Sequence, residues 1–168
     1  MTLESLNNLD SDSLFAELFK CCGSTSWAKK LAQKKPFLSL EDIFQKSDLI
    51  WAESNKEDGL EAFTHHPKIG DVSELEKKFA STKEWAGGEQ AGVNVANKTV
   101  LEALAKGNTD YEAKFSYIFI VCATGKSAEE MLALLNARIG NDAETEFSIA
   151  MGEQNKITKI RLEKLLNS

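Results

Sequence analysis

Two adjacent histidines, His65 and His66, lie in the stretch FTHHPKIGD, directly before one of the two prolines of the chain. Histidine changes its charge near neutral pH, so either one is a candidate general acid or base. Pro67 biases His66 away from helical backbone angles, which predicts that His66 lies at a helix end in a restricted geometry. From spacing alone, an exposed histidine that interacts with the helix dipole is the more ordinary interpretation.

The spacing of the same two histidines argues against a metal site. Neighbouring side chains point about 100° apart on a helix and to opposite faces on a strand, so His65 and His66 do not easily bind one ion. No HxxxH or carboxylate–histidine spacing lies nearby. We therefore predict no metal ligands in this chain.

A second candidate site is the stretch EWAGGEQAGV, residues 84 to 93. Gly87 and Gly88 permit a close approach of the backbone, and Glu89 and Gln90 follow in the predicted first turn of a helix. Unpaired amides there could hold an anion or a polar ring, and Glu89 and Gln90 could bind the edge of a heterocycle. A glycine break followed by an acidic residue that the helix dipole favours explains the local pattern equally well.

Arg161, in ITKIRLEKLL, is the third candidate. It follows Ile160 at the edge of a predicted apolar helix face, where an arginine usually extends its guanidinium to solvent or forms a surface ion pair. The two-pronged guanidinium could instead bind a carboxylate.

The elements that must position these residues are predicted to be helices throughout. Capping residues, apolar spacing and glycine or proline stops place them at residues 11–22, 24–33, 39–54, 58–65, 71–85, 88–107, 127–139 and 142–166, with an interruption considered at Gly152. YIFIVCA, residues 117–123, resembles a buried strand locally, but no other segment offers a strand partner. We interpret it as a buried helix or an extended connector, and we predict an all-α bundle of seven to eight helices.

Length and charge limit the class of protein. The 168 residues, with 42% hydrophobic and 27% charged residues, fit a single domain over residues 1–168. The net charge of −6 gives no reason to expect nucleic acid as a partner. Three cysteines, two of them adjacent, do not form a disulfide framework, which indicates a reducing compartment. Without a recognisable signal peptide or a membrane-length apolar run, we expect a cytoplasmic protein with no membrane association.

Five motifs, taken in order, resemble one enzyme family. They are FTHHPKIGD, WAGGEQAGV, the tyrosine and KF of DYEAKFSYIFIVCATG, the NARIG of LALLNARIG, and ITKIRLEKL. Together they are similar to 2-oxo-4-hydroxy-4-carboxy-5-ureidoimidazoline (OHCU) decarboxylase over residues 10 to 166. The resemblance implies an all-α, cofactor-free and typically homodimeric enzyme that converts OHCU to (S)-allantoin in urate degradation.

The resemblance also implies roles for individual residues. His66 matches the catalytic histidine, Glu89 an active-site glutamate and Arg161 a C-terminal active-site arginine. The substrate-binding positions that it implies are Pro67, Ala86, Gly87, Gly88, Gln90, Phe119, Ile120, Val121, Cys122 and Ala123, the last five through their backbone. It gives no catalytic role to His65, which we interpret as structural or solvent-facing.

One position departs from the family pattern. Many members carry a serine where this chain has Ala86, so a hydroxyl contact to the substrate is missing or replaced. We expect weaker substrate binding, since one hydrogen bond typically contributes about 0.5–1.5 kcal/mol. Ala86 keeps open a related cofactor-free enzyme that acts on another ureide, and a non-enzymatic helical binding module is the further alternative.

Overall fold

The helical prediction is confirmed. The computed structural model describes residues 1–67, 72–77 and 91–167, with the backbone alone for residues 91–97. Within those ranges there are nine helical stretches and no strand. They are α1 (Leu3–Asn8), α2 (Ser11–Cys21), α3 (Thr25–Ala32), α4 (Leu40–Ala52), α5 (Lys56–Thr64), α6 (residues 72–77), α7 (Ala91–Phe115), α8 (Ala128–Arg138) and α9 (Ala143–Asn167).

Side-chain caps explain why most of these helices begin where they do. Asp10, Ser24, Ser39 and Ser127 each accept a hydrogen bond from the backbone N–H three residues later. Asn55 forms a full capping box at the start of α5, because Asp58 also accepts from the Asn55 N–H. The polar residue before each apolar pattern therefore satisfies amides that the helix itself cannot.

The chain divides into two compact units, which we call the first unit and the second unit. The first unit comprises Met1–His66 and Met151–Ser168, and the second comprises Pro67–Ala150. The first unit is built around the buried apolar faces of α2, α3 and α4, with Leu162 of α9 in the same core. Apolar residues at helical spacing, such as Leu14 and Leu18, supply those faces. The prediction of a single domain stays a prediction.

The core of the second unit lies mainly between α7 and α8. Leu101 and Leu104 of α7 contact Met131 and Leu135 of α8 in one buried cluster. Gly107 does not end α7, which was the prediction, and the helix continues to Phe115. A Cβ at this glycine would stand 2.8 Å from Leu135 Cδ2, so Gly107 provides the close approach of two helices rather than a stop.

Two other predictions of local structure have clear outcomes. Gly152 does not interrupt α9, since a single exposed glycine costs a long helix only about 1 kcal/mol. Residues 117–123 are neither helix nor strand, which matches the connector rather than the buried helix. We call residues 116–127 the connector. The predicted helix over residues 71–85 lies outside the described residues except at α6, and α1 was not predicted.

Candidate functional site

His66 lies just beyond the C-terminal end of α5, where the sequence predicts it. The His65 N–H donates to the Ala62 carbonyl at 3.2 Å, and the His66 N–H donates to the Phe63 carbonyl at 3.4 Å. These bonds form the last turn of the helix, and Pro67 cannot donate the next one. Phe63 is buried, so the turn that carries the half-buried His66 side chain is anchored in the core of the first unit.

The imidazole of His66 is held by a side chain from α9. Its Nε2 stands 2.5 Å from Oε1 of Gln154, which is fully buried. Gln154 Nε2 donates to Thr158 Oγ1 at 3.1 Å, and the Thr158 hydroxyl donates to the Gln154 carbonyl at 3.0 Å. The same hydroxyl lies close enough to Cys22 to oppose the rise in the pKa of the thiol that burial causes. A neutral polar chain thus runs from the titratable ring into the core.

Residues of α4 fix the part of α9 that supplies this chain. Trp51 Nε1 donates to the Met151 carbonyl at 2.9 Å, and Asn155 Nδ2 donates to Asp48 Oδ1 at 3.0 Å. Lys159 forms an ion pair with the other oxygen of Asp48 at 2.9 Å. Because α9 is bonded to α4 on both sides of Gln154, the amide that contacts His66 is held on a rigid element.

His65 has a structural position. Its ring meets the edge of the Phe19 ring, with centroids 4.9 Å apart. It also covers Gly23 so closely that a Cβ there would overlap the Cβ and ring carbons of His65. Glu61 of α5 accepts from the Thr25 N–H at 2.8 Å and from Thr25 Oγ1 at 2.6 Å. These contacts dock α5 on the start of α3 and so set the position of the turn that carries His66.

Arg161 lies on the same face of α9 as Gln154. The two residues are seven positions apart, which is two helical turns, or roughly 10 Å along the axis. Arg161 is half-buried, and its guanidinium has neither an ion pair nor a hydrogen bond with the residues that the structure describes. Burial raises the pKa of Cys21 to about 12 and of Cys22 to about 11, and the positive charge of Arg161 opposes that rise.

The connector belongs to the second unit, and three of its carbonyl groups are already bonded. The Ile120 carbonyl accepts from Arg138 Nη1 at 2.8 Å, and the Cys122 carbonyl accepts from Lys126 Nζ at 2.7 Å. The Ala123 carbonyl accepts from the Lys126 N–H at 3.1 Å. The N–H groups of Phe119, Ile120, Val121 and Ala123 have no acceptor in the described part of the chain. Ile120 is buried and the other three residues are half-buried. Amides that are shielded from water rarely lack acceptors, so this backbone suits a ligand that accepts hydrogen bonds.

A buried ionic cluster holds the connector in place. Arg138 Nε donates to Glu146 Oε1 at 2.8 Å, and its Nη2 stands 2.5 Å from the same oxygen. The Tyr111 hydroxyl donates to that oxygen at 2.5 Å, and Asn141 Nδ2 donates to Glu146 Oε2 at 3.1 Å. The guanidinium also lies 4.5 Å from the centroid of the Phe119 ring. Burial, followed by the bond to Glu146, raises the pKa of Tyr111 well above its usual range, so its hydroxyl stays a donor.

Two negative findings concern the described residues. They contain no group of three histidine, cysteine, aspartate or glutamate side chains that could hold a metal ion. None of the helices within residues 1–67, 72–77 and 91–167 combines the length and apolar character that crossing a bilayer requires.

Comparison with known proteins identifies the family. The family model described as OHCU decarboxylase matches residues 7–163. The chain belongs to the OHCU decarboxylase family. The uric acid degradation bifunctional protein TTL of Arabidopsis thaliana is 35% identical over 147 residues, which are 88% of this chain and 45% of that protein. A 2-oxo-4-hydroxy-4-carboxy-5-ureidoimidazoline decarboxylase of Halalkalicoccus jeotgali is 26% identical over 98% of this chain and 92% of that protein.

Structural comparison agrees with the family match. A crystal structure of OHCU decarboxylase in the presence of (S)-allantoin superposes with a TM-score of 0.72 and 34% identity, over 90% of this chain and 99% of that one. The chain spans less than half the length of several of the curated relatives that it matches, including the Arabidopsis protein.

The predicted site residues of this OHCU decarboxylase family member fall into three groups. His66 and Arg161 belong to the first unit, where Gln154 contacts one of them and shares a helix face with the other. Pro67 and the residues Phe119, Ile120, Val121, Cys122 and Ala123 belong to the second unit. Ala86, Gly87, Gly88, Glu89 and Gln90 lie outside the described residues, so their roles stay predictions.

Sequence reasoning did not find the side chains that support these residues. Gln154 and Thr158 precede Arg161 by seven and three positions, so three polar residues recur at helical spacing beside an apolar face. That spacing was a usable signal. Tyr111 and Arg138 lie within the motifs that carry the family resemblance, but no local pattern connects them with Glu146, which is part of the same buried cluster.

Proposed function

We propose that this chain decarboxylates OHCU and releases (S)-allantoin. Membership of the OHCU decarboxylase family supports the reaction, as does the likeness to an OHCU decarboxylase structure determined with (S)-allantoin. The observation that carries the proposal is the hydrogen bond between His66 and the buried Gln154, at the end of α5. It holds one titratable ring in a fixed orientation, as a proton-transfer group requires.

The substrate supplies its own electron sink. When the bond between the carboxylate and the hydroxyl-bearing ring carbon breaks, carbon dioxide leaves. The electron pair of that bond forms a double bond from the hydroxyl-bearing carbon to the neighbouring ureido-bearing carbon. The electrons of the former imine move onto the ring nitrogen, which takes a proton. The ureido-bearing carbon then gains a proton, and the hydroxyl loses one to become the carbonyl of allantoin. No cofactor is needed for this electron flow.

His66 provides the proton for the ureido-bearing carbon in this proposal. Delivery from one fixed ring reaches one face of the planar intermediate, which gives a single enantiomer. Arg161 binds the substrate carboxylate or the negative charge that develops on the ring, since its half-buried guanidinium has no partner among the described residues. Glu89 orients the N–H groups of the substrate.

The remaining substrate contacts come from backbone and short side chains. The N–H groups of Phe119, Ile120, Val121 and Ala123 donate to carbonyl oxygens of the substrate. The support is that none of these four groups has an acceptor in the described part of the chain. Gln90 binds a polar end of the substrate. The proposed contact residues are Pro67, Ala86, Gly87, Gly88, Gln90, Phe119, Ile120, Val121, Cys122 and Ala123. We also propose a cytoplasmic homodimer.

Circular dichroism of allantoin formation tests this function. OHCU is generated in the cuvette from urate by the two preceding enzymatic reactions, with and without the protein. We expect a fast signal of one sign with the wild-type protein. His66→Asn should lower the rate by about 10²–10⁴-fold, the usual contribution of a general acid or base.

His65→Asn is the matched control, since it changes the other histidine of the chain, which contacts Phe19 rather than Gln154. It should keep most of the wild-type rate. Slow formation of racemic allantoin at the spontaneous rate, with wild-type protein present, would contradict the proposal. Rapid turnover of another ureide under the same conditions would then favour the related enzyme that Ala86 leaves open.

A further inference from the structure

The hydroxyl of Thr158 determines which way the Gln154 amide points. A hydroxyl has one hydrogen, and that of Thr158 is directed to the Gln154 carbonyl at 3.0 Å. The amide atom 3.1 Å from Thr158 Oγ1 must therefore be the donor, Nε2. The opposite amide atom, the acceptor Oε1, then faces His66.

The surroundings of Thr158 keep its hydrogen bonds in place. Burial raises the pKa of the neighbouring Cys22 thiol to about 11, so at neutral pH no thiolate competes for the hydrogen of the Thr158 hydroxyl. Cys22 and Gln154 are both fully buried and Thr158 is 2% exposed, so no solvent competes for these bonds.

An amide oxygen can only accept, so the nitrogen of His66 that lies 2.5 Å from Gln154 Oε1 must carry a hydrogen. We propose that Gln154, oriented by Thr158, is a positioning residue that holds neutral His66 as the Nε2–H tautomer and makes Nδ1 the nitrogen that gains and loses the catalytic proton. The kinetic part of this inference rests on the proposed decarboxylase function, and the tautomer itself does not.

A neutral amide suits this task because His66 must be held in both charge states. The Nε2–H bond to Gln154 persists when the ring is an imidazolium and when it is neutral. Only Nδ1 changes, giving its proton to the substrate and recovering one afterwards. The ring therefore need not rotate or exchange tautomers during the reaction, which keeps the proton-delivering atom in one place.

Nitrogen-15 NMR of the whole protein, labelled on histidine, tests the tautomer without any substrate. The chain has two histidines, and His66→Asn assigns their signals. Above the titration of the rings we expect the Nδ1 of His66 at the shift of an unprotonated nitrogen and Nε2 at that of an N–H. Thr158→Val, which removes the hydroxyl at similar volume, should yield a mixed or reversed tautomer, and Thr158→Ser should restore the wild-type spectrum.

Decarboxylation by the same variants tests the positioning role. Thr158→Val and Gln154→Leu should each lower kcat by about threefold to tenfold with KM nearly unchanged, the effect of losing roughly one orienting hydrogen bond. Thr158→Ser should recover the wild-type kcat together with the wild-type tautomer. Because Thr158→Val and Gln154→Leu change different residues, the test still works if one of the two variants fails to fold.

Three results have distinct meanings. An Nδ1–H tautomer in the wild-type protein, or a tautomer that neither variant alters, would overturn the inference. A normal kcat in a variant whose tautomer has changed would remove the positioning role. If the wild-type protein shows the Nε2–H tautomer but forms no allantoin, the decarboxylase proposal fails while the assignment of the tautomer stands.

Discussion

The two units each contain a buried polar cluster, and the clusters differ in charge. In the first unit, Gln154 and Thr158 form a neutral chain that ends on His66, with the neutral Cys22 thiol beside it. In the second unit, Arg138 and Glu146 form an ion pair that binds a backbone carbonyl of the connector. A carboxylate in place of the Gln154 amide would favour the imidazolium form of His66 and oppose the loss of its proton. A neutral cluster suits a ring that must change charge, and a charged cluster suits a loop that must stay fixed.

The difference in charge predicts a difference in energetic cost. Two buried charges stabilise each other only while both are present, and removing one leaves the other without compensation. Removing one partner of a hydrogen bond between neutral groups lowers the free energy of unfolding by less. We therefore expect substitutions in the second cluster to affect stability most, and substitutions around His66 to affect catalysis more than stability.

Arg138→Met provides the largest expected effect. It leaves the fully buried Glu146 carboxylate without its cation and removes the donor to the Ile120 carbonyl. We expect the free energy of unfolding to fall by about 3–5 kcal/mol, measured by urea titration. The double variant Arg138→Met/Glu146→Leu should lose less than Arg138→Met alone, because it removes both charges. A double variant as unstable as the single one would show that the ion pair is not the source of the loss.

Two glycine substitutions compare close approaches in the two units. A Cβ at Gly23 would meet the Cβ and ring of His65, close to the backbone, whereas a Cβ at Gly107 would meet the terminal Cδ2 of Leu135 at 2.8 Å. We expect Gly23→Ala to lower stability by about 1–3 kcal/mol. It should also lower the decarboxylation rate, because it displaces the turn that carries His66.

Gly107→Ala is the control for this comparison. The end of a leucine side chain can shift, and alanine in a helix interior recovers about 1 kcal/mol of helix propensity. We expect its stability to stay within about 1 kcal/mol of the wild type. Equal losses of stability in Gly23→Ala and Gly107→Ala would mean that the His65 side chain shifts as easily as a leucine methyl group.

The helices and the candidate residues at their ends could be predicted from sequence because the signals are local. Asp10, Ser39 and Ser127 cap helices that begin as predicted, and Pro67 limits His66 to a helix end, which needs no tertiary information. The role of Gly107 could not be predicted in the same way. Glycine is suited both to a helix end and to the close approach of two helices. Only the position of Leu135 shows which of these roles Gly107 has.

The supporting clusters were not predicted because their partners are distant in the chain. His66 and Gln154 are 88 residues apart, and Tyr111 and Glu146 are 35 apart. No periodicity links such pairs, so a single sequence presents each of them as an ordinary polar residue. The irregular connector is similar: its apolar composition indicates burial, whereas its backbone bonds to Arg138 and Lys126 determine its path.

The cysteines can report whether the two units open separately or as the single domain predicted from sequence. All three are buried in the described residues and none is in a disulfide. Cys21 and Cys22 belong to the first unit, and Cys122 belongs to the connector of the second. If the units open independently, alkylation of Cys122 should be about tenfold faster, because connector segments open more easily than helix-lined cores.

The high pKa values of Cys21 and Cys22 slow any reaction in the closed state, so the comparison is made by labelling in dilute urea, where opening controls the rate. Denatured protein is the control, in which the three thiols should react alike. Equal protection of all three cysteines in the native protein would favour one cooperative domain.

The smallest expected effect compares the acidic caps of the two units. Asp10 at the start of α2 and Asp142 at the start of α9 each accept from a backbone N–H and a hydroxyl, of Ser13 and Thr145 respectively. These bonds, led by the backbone one, lower the pKa of both carboxyls below 3.8.

A lowered pKa in the folded state stabilises the protein at pH values above the unfolded pKa, near 4. This contribution disappears as the pH falls through the folded pKa. Asp10→Asn and Asp142→Asn keep a capping oxygen but cannot titrate. Each should therefore show a small loss of stability at pH 7 that vanishes at an acid pH below both the unfolded and the folded pKa. Urea titrations at both pH values measure it. A loss that persists in acid would assign the effect to cap geometry instead of charge.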